Sequence, residues 1–267
     1  MNLLDFSLVD VNRRQKRCEV WNSMIKLIRK AVNRLGFDVV RATTLHRDLG
    51  DHLKQILEAK QIDGVIDVGA NVGQYGRLLR DAGFTGHIYS FEPVSAVFDK
   101  LQAAASGDGK WHCFKLALGE TSATKTINVY DSHVFSSFLT ANDYSKGIWK
   151  SLHGVHEESV EVVRLDDIFE TLANRADCRN FLLKMDTQGF DLQVFHGARQ
   201  SLANVQALQS ELALVPIYDG SPDPYTLLGE FNEQGFFISG MYVINRDASL
   251  AVIEYDVTLV RRSAPPV

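Results

Sequence analysis

The sequence predicts an α/β fold in which a doubly wound, mostly parallel sheet is covered by helices on both faces. Short apolar segments at 64–68, 87–91 and 181–185 each lead through a turn into a stretch with helical spacing. Alternating strands and helices build a parallel sheet. The segment 181–185 is almost continuously apolar, which is typical of a central strand buried on both faces.

The composition is that of an ordinary globular protein. With 267 residues and 45% hydrophobic content, the chain can form one α/β domain, which we assign to 61–267, plus an N-terminal helical extension at 1–60. The net charge of −5 gives no general attraction to nucleic acid. The cysteines at 18, 113 and 178 suggest neither disulfides nor a metal site, and we find neither a signal peptide nor a membrane span, so we expect a cytoplasmic protein.

The extension begins with a basic amphipathic helix. Apolar residues recur at helical spacing over 21–35, with lysines and arginines on the other faces. We expect this helix to pack on the domain, and contact with an anionic membrane surface or with a second subunit in a homo-oligomer remains open. A second helix is predicted from about Leu49 to Lys60.

A glycine-rich turn follows the first predicted strand. It runs D-V-G-A-N-V-G from Asp67, and the next strand, 87–91, ends at Glu92. Small residues let the backbone approach a ligand, and an acid after the following strand can accept both ribose hydroxyls of a nucleoside. We therefore predict an adenosine-containing cofactor bound by Asp67, Gly69, Ala70, Asn71, Gly73 and Glu92.

The details of this turn favour S-adenosylmethionine over NAD. A dinucleotide site needs G-x-G-x-x-G directly after the strand, so that amides face the pyrophosphate. Here the second small position is Ala70, and Asp67 would repel a pyrophosphate but attract a sulfonium and an ammonium group. We expect Asp67 to meet the ammonium directly or through water, Glu92 to bind the ribose and Leu118 to contact the adenine.

The remaining elements continue the alternation. We predict helices at 94–105, 166–173 and 192–202, strands at 111–116, 124–130, 161–165 and 205–214, and a polar, substrate-facing insertion at 131–160. At the C-terminus, a helix at 225–234 precedes extended stretches at 236–243 and 250–260, which predict an antiparallel hairpin on the sheet edge.

A second group of polar residues lies where the strand 181–185 ends. Lys184 and Asp186 fall at its carboxyl end, and Glu211 lies late in the next strand. Ligands of open α/β sheets bind along the carboxyl ends of the strands, so we expect these side chains near the glycine-rich turn. The alternative is that Lys184 forms a structural ion pair with a neighbouring carboxylate and that another acid caps a helix.

The whole pattern resembles the FkbM-type S-adenosylmethionine-dependent methyltransferases. The matching segments are V-I-D-V-G-A-N-V-G-Q-Y-G from Val65, S-F-E-P from Ser90, L-A-L-G-E from Leu116, S-S-F from Ser136, R-L-D-D-I-F from Arg164 and L-L-K-M-D-T-Q-G-F-D from Leu182. The resemblance implies a Rossmann-like class I methyltransferase fold and O-methylation of a sugar, glycan or glycolipid hydroxyl. The last motif usually reads K-I-D-V-E-G-x-E in this family, whereas this chain has Gln188 and Asp191 at the two glutamates.

Transfer to a hydroxyl needs a base, because the acceptor oxygen must lose its proton. Asp186 is the first candidate, with Lys184 orienting it; His133 and His153 are alternatives. Asp186 and Glu211 are too few for a strong divalent-metal signal, and we assign no metal. An NAD-linked oxidoreductase and a non-catalytic cofactor-binding scaffold remain as other functions.

Overall fold

The computed structural model describes residues 48–262, together with Val32. The prediction of a basic helix at 21–35 therefore lies, apart from Val32, outside the described residues. Asp48–Val267 forms one compact unit. Helix α1 (Leu49–Ala59), which the sequence analysis grouped with the extension, belongs to this unit, because Leu53 and Ile56 are buried in the same apolar cluster as Val65.

The described chain alternates helices and strands. The further helices are α2 (Gln74–Asp81), α3 (Ser95–Ala105), α4 (Asp143–Ile148), α5 (Leu165–Ala176), α6 (Asp191–His196) and α7 (Pro224–Glu233). The strands are β1 (Gly64–Val68), β2 (His87–Phe91), β3 (Trp111–Phe114), β4 (Ala117–Leu118), β5 (Ala123–Tyr130), β6 (Val155–Val163), β7 (Phe181–Met185), β8 (Val205–Ala213), β9 (Phe236–Arg246) and β10 (Val252–Arg261).

Seven strands form the central sheet in the order β3-β2-β1-β7-β8-β10-β9. The first five run parallel, and β10 pairs antiparallel with both β8 and β9. The strand order reverses beside β1, which is the point where open α/β sheets leave a crevice for ligands. The predictions of a doubly wound α/β fold and of a terminal antiparallel hairpin are confirmed.

The sheet is buried on both faces because successive side chains of a strand point in opposite directions. Ile66 and Leu183 join one apolar cluster, and their neighbours Val65 and Leu182 join the other. Central strands that bury both faces must be almost wholly apolar. The charged residues Asp67 in β1 and Lys184 in β7 are exceptions to this pattern.

A separate three-stranded sheet, in the order β4-β6-β5, corrects two predictions. The strand predicted at 124–130 pairs with β6 in this small sheet instead of extending the central one. The predicted insertion at 131–160 is shorter, because its last residues, from Val155, belong to β6. The sequence hides this strand because most of its side chains, such as Glu157 and Glu161, are exposed.

Two helices also differ from prediction. The helix predicted at 166–173 is longer, since α5 spans Leu165–Ala176, and the Asp166 carboxylate accepts hydrogen bonds from the backbone N–H groups of Gln200 and Ser201. The helix predicted at 192–202 ends at His196 and is followed by a short 3₁₀ turn at Ser201–Asn204. Within residues 48–262, no helix is both long enough and apolar enough to cross a bilayer.

Candidate active site

A cleft of about 310 Å³ opens along the carboxyl edge of the central sheet. The ends of β1, β2, β7 and β8 supply its floor, and the small sheet and β9–β10 supply its walls. Of the predicted site residues, the cleft is lined by Gly69, Asn71, Glu92, Leu118, Asp186 and Glu211.

The glycine-rich turn lies directly against the turn that follows β7. Gly69 has a φ of 72°, and a Cβ placed there would lie 1.9 Å from the carbonyl oxygen of Asp186. The amides of Gly69 and Ala70 both donate to the carbonyl of Phe91, at 3.1 and 3.0 Å. Only glycine allows this approach, which brings the turn, β2 and β7 together at one edge.

Glu92 faces the cleft from the end of β2. Its two oxygens accept hydrogen bonds from the backbone N–H groups of Asn71, at 3.0 Å, and Val94, at 2.9 Å. Burial raises the pKa of Glu92 to about 7, although these hydrogen bonds oppose the shift. Each carboxylate oxygen keeps a further lone pair for a donor from a ligand.

Three of the predicted cofactor-binding residues do not line the cleft. Asp67 is fully buried within the sheet, because its neighbours in register are Ser90 on β2 and Lys184 on β7. The Ser90 hydroxyl donates to Asp67 Oδ2 at 2.9 Å. Ala70 is buried in the apolar core, and Gly73 begins α2 in a left-handed conformation with a φ of 83°. Asp67 therefore has no direct contact with the cleft, and its contact with a cofactor ammonium through water stays a prediction.

Lys184 is a buried cation that contacts both the glycine-rich turn and the carboxylates of Asp67 and Asp186. Its Nζ lies 3.2 Å from Asp67 Oδ1 and 3.5 Å from Asp186 Oδ2, and it donates to the carbonyls of Gly69, at 2.9 Å, and Val68, at 3.3 Å. Burial alone would lower the pKa of Lys184, but the carboxylates of Asp186 and Asp67 outweigh burial and raise it. The side chain is 6% exposed and does not line the cleft.

Asp186 and Glu211 meet the cleft as a pair linked by Gln188. The Asp186 side chain is 38% exposed, and the Gln188 amide donates to Asp186 Oδ1 at 3.1 Å and to Glu211 Oε2 at 2.7 Å. Burial acts to raise the pKa of Asp186, but Lys184 and hydrogen bonds hold it below its usual value. Burial and the Asp186 charge raise the pKa of Glu211 well above its usual range. Asp186 therefore loses its proton at a lower pH than Glu211 does.

Sequence reasoning missed two further acids on β10. Glu254 and Asp256 line the cleft next to Glu211, and Asp256 lies directly opposite Glu211 in the antiparallel register. Burial and Asp186 raise the pKa of Asp256 to about 6. The sequence I-E-Y-D-V carried the signal, since acids two residues apart in an apolar strand face the same side. We call Asp186, Glu211, Glu254 and Asp256 the carboxylate end of the cleft.

The opposite part of the cleft is apolar. Leu118 contributes to a wall that also contains Phe91, Pro93, Ala117, Ile127 and Phe138. Residues 133–136 line the cleft from the insertion, and His133 Nδ1 and Ser136 Oγ are buried there without a hydrogen-bond partner. His153, the other alternative base, does not line the cleft; its ring contacts the Lys146 carbonyl at 3.1 Å.

Comparison with known proteins identifies the family. A family model described as the methyltransferase FkbM domain matches residues 67–238, well over half of the chain. The chain belongs to this family. The matched residues form a methyltransferase domain that uses S-adenosylmethionine. The predictions of the family, the enzyme class and the cofactor are confirmed.

Relatives outside the family model are distant. Methyltransferase 1 of Beauveria bassiana (strain ARSEF 2860) is 27% identical over 147 residues, which span 50% of this chain and 57% of that protein. Magnesium protoporphyrin IX methyltransferase (ChlM) of Synechocystis PCC 6803, solved with bound SAM, is 10% identical, with a TM-score of 0.45, over 89% of this chain and 97% of that chain. An rRNA methylase of Streptococcus thermophilus is 12% identical, with a TM-score of 0.42, over 82% and 100%.

The residues of the cleft suit this cofactor. A buried carboxylate at Glu92 matches a diol, the apolar wall at Leu118 matches a purine ring, and the carboxylate end matches the positive charge of a sulfonium. When bound, S-adenosylmethionine supplies an electrophilic methyl group on a positively charged sulfur.

Proposed function

We propose that the family member described here methylates a hydroxyl oxygen of a sugar, glycan or glycolipid. The observation that carries this proposal is the carboxylate end of the cleft. Its oxygens accept hydrogen bonds, which a molecule rich in hydroxyl groups donates, and its negative charge repels phosphate groups. A neutral polyol therefore fits this end better than a nucleic acid does.

Asp186 is the proposed general base. Its pKa is the one that is lowered in the carboxyl pair, and its side chain is open to the cleft. As the acceptor oxygen bonds to the methyl carbon, the bond from that carbon to sulfur would break and S-adenosylhomocysteine would leave, while the hydroxyl proton passes to Asp186 and later to solvent. A positioned base typically contributes about 10²–10⁴-fold to such a step.

Lys184 and Glu211 support the base without touching the reacting atoms. Lys184 contacts both the Asp186 carboxylate and the carbonyl of Gly69, so it holds the base at a fixed position relative to the glycine-rich turn. Glu211, whose pKa is raised by burial and by the Asp186 charge, keeps its proton to a higher pH than Asp186 and so limits the negative charge of the pair. Positioning of donor and acceptor supplies the rest of the rate enhancement.

Glu92, Leu118, Gly69 and Asn71 are the proposed cofactor contacts. Glu92 accepts from the ribose hydroxyls, Leu118 packs on the adenine, and the backbone at Gly69 and Asn71 borders the methionine part. Asp67, Ala70 and Gly73 act indirectly, by holding the turn and the strand beneath it.

The test is transfer of labelled methyl from S-adenosylmethionine to lipid, glycan and nucleic-acid fractions of the source cells. We expect label in a sugar-containing fraction that survives alkali, since methyl ethers resist base and methyl esters do not. Asp186→Asn should lower transfer by about 10²–10⁴-fold, whereas the exposed control Glu170→Gln should not. Label confined to nucleic acid, or lost in alkali, would refute the proposed acceptor.

The proposed partners beyond this acceptor rest on the sequence alone. Contact of the helix at 21–35 with a membrane surface, or with a second copy of the chain, stays a prediction. Label in the glycolipid fraction would favour the membrane alternative, because the acceptor would then lie at a lipid surface.

A further inference from the structure

Gln188 joins the two carboxyls of the proposed base to a tyrosine. Its Nε2 donates to Asp186 and Glu211, and its Oε1 accepts from the Tyr218 hydroxyl at 2.9 Å. This pattern fixes the orientation of the amide, because an ionised carboxylate can only accept and the tyrosine supplies a proton. Tyr218 is buried, and its single hydroxyl proton is shared between Gln188 Oε1 and the carbonyl of Phe135, which lies 2.8 Å from the hydroxyl oxygen.

The backbone of Gln188 is equally constrained. Its φ is 53°, a conformation that residues with side chains rarely adopt. Its carbonyl accepts a hydrogen bond from the Ser137 hydroxyl at 2.7 Å. Ser137 of the insertion thus holds the backbone of Gln188, and residues 133–136 of the same segment line the cleft. With its backbone fixed, the Gln188 side chain has little freedom to move away from Asp186 and Glu211.

We propose that Gln188 is the positioning residue of the carboxyl pair: its neutral amide holds Asp186 and Glu211 in place, and Tyr218 sets the direction in which the amide faces. The inference rests on the proposed function, because it takes Asp186 as the base. It goes further by assigning a role to the residue at which this chain departs from the usual family motif.

A neutral donor suits this position because its surroundings are acidic. The titratable and charged groups that interact with Asp186 or Glu211 are Lys184 on β7, Glu254 and Asp256 on β10, Asp191 on α6, and Tyr218; Asp67 on β1 pairs with Lys184. Among the described residues, Lys184 is the cation in contact with this group. An amide at 188 adds two hydrogen bonds without adding a charge, whereas a carboxyl can donate only while it is protonated.

The test is the pH profile of kcat for Gln188→Glu at saturating S-adenosylmethionine. We expect the variant to be active at about pH 6 and to lose at least about tenfold relative to wild type by about pH 9, as the introduced carboxyl ionises. Gln200→Glu, which adds the same charge at an exposed site, should follow the wild-type profile. Tyr218→Phe should lower kcat at every pH without this alkaline loss.

A ratio of Gln188→Glu to wild type that does not vary with pH would overturn the proposal. A second readout needs no acceptor and no transfer: the Asp186 carboxyl, followed by ¹³C NMR, should titrate at higher pH in Gln188→Met than in wild type. An unchanged Asp186 titration there would also overturn the proposal. Absence of hydroxyl methylation by the wild type would instead refute the proposed function, and the NMR titration would still decide the role of Gln188.

Discussion

Glu92 combines two properties that a ribose site needs. It is buried, and its carboxylate is already fixed by the backbone N–H groups of Asn71 and Val94. Burial costs the ionised form some stability and raises the pKa of Glu92 to about 7. Hydroxyl donors from a ribose favour the ionised form, so binding and deprotonation are linked.

We therefore expect the affinity for S-adenosylhomocysteine to depend on pH. The ionised carboxylate is the form that accepts both hydroxyls, so the affinity is full above about pH 7 and declines as the pH falls below it, by up to about tenfold per pH unit. Isothermal titration calorimetry between about pH 5.5 and 8 measures this. Glu92→Gln should bind about 10- to 100-fold more weakly and lose the pH dependence, whereas Glu170→Gln should match wild type. A wild-type affinity that stays constant across this range would contradict the assignment.

Lys184 and Asp67 form a buried ion pair in which Asp67 depends on the lysine, whereas Lys184 also lies 3.5 Å from Asp186. Asp67 has no exposure to solvent, and Lys184 is its cation. Removing one partner leaves an uncompensated charge in the sheet, which typically costs about 3–5 kcal/mol.

Lys184→Met should thus lower the free energy of unfolding by about 3–5 kcal/mol. The double variant Lys184→Met with Asp67→Asn should recover much of that loss, since the asparagine carries no charge and still accepts from Ser90. Urea denaturation of Lys184→Met, of Asp67→Asn and of the double variant measures the coupling free energy between the two side chains. Additive losses would show that the pair is not energetically linked.

At the scale of elements, the site depends on the contact between the turns after β1 and β7. Gly69 lies against the carbonyl of Asp186, so the glycine-rich turn packs directly on the residue that carries the proposed base. An alanine at position 69 would push the two turns apart with its methyl group, and its backbone would have to keep a positive φ.

Gly69→Ala should therefore destabilise the fold by about 3 kcal/mol or more and weaken binding of S-adenosylhomocysteine. The matched control is Gly229→Ala, because a Cβ there, within α7, meets nothing within 4 Å. Alanine is favoured over glycine in a helix by about 0.5–1 kcal/mol, so this control should be slightly stabilised. Thermal and urea unfolding compare the two; equal effects would contradict the close packing at Gly69.

At the scale of the whole molecule, the central sheet and most of the cleft floor were predictable, because they are local. Each strand, its turn and its terminal acid are contiguous in sequence, as with Glu92 after β2 and Asp186 after β7. Periodicity alone then places these acids at one sheet edge. Leu118, predicted from its place after a strand, also lines the cleft.

What was not predicted depends on pairing between distant segments. Asp67 is a β1 residue whose role follows from its neighbours Ser90 and Lys184, and register between strands is not visible in one sequence. Glu254 and Asp256 reach the cleft because β10 runs antiparallel beside β8. The small sheet escaped detection for the same reason, since β6 is recognisable only beside β5.

The most direct test of the account is a crystal structure with S-adenosylhomocysteine. We expect the ribose hydroxyls within hydrogen-bond distance of the Glu92 carboxylate, the adenine against Leu118 and the sulfur facing Asp186. Asp67 should stay paired with Lys184 and out of contact with the ligand. Adenosine bound outside this cleft, or a sulfur directed away from Asp186, would contradict the account.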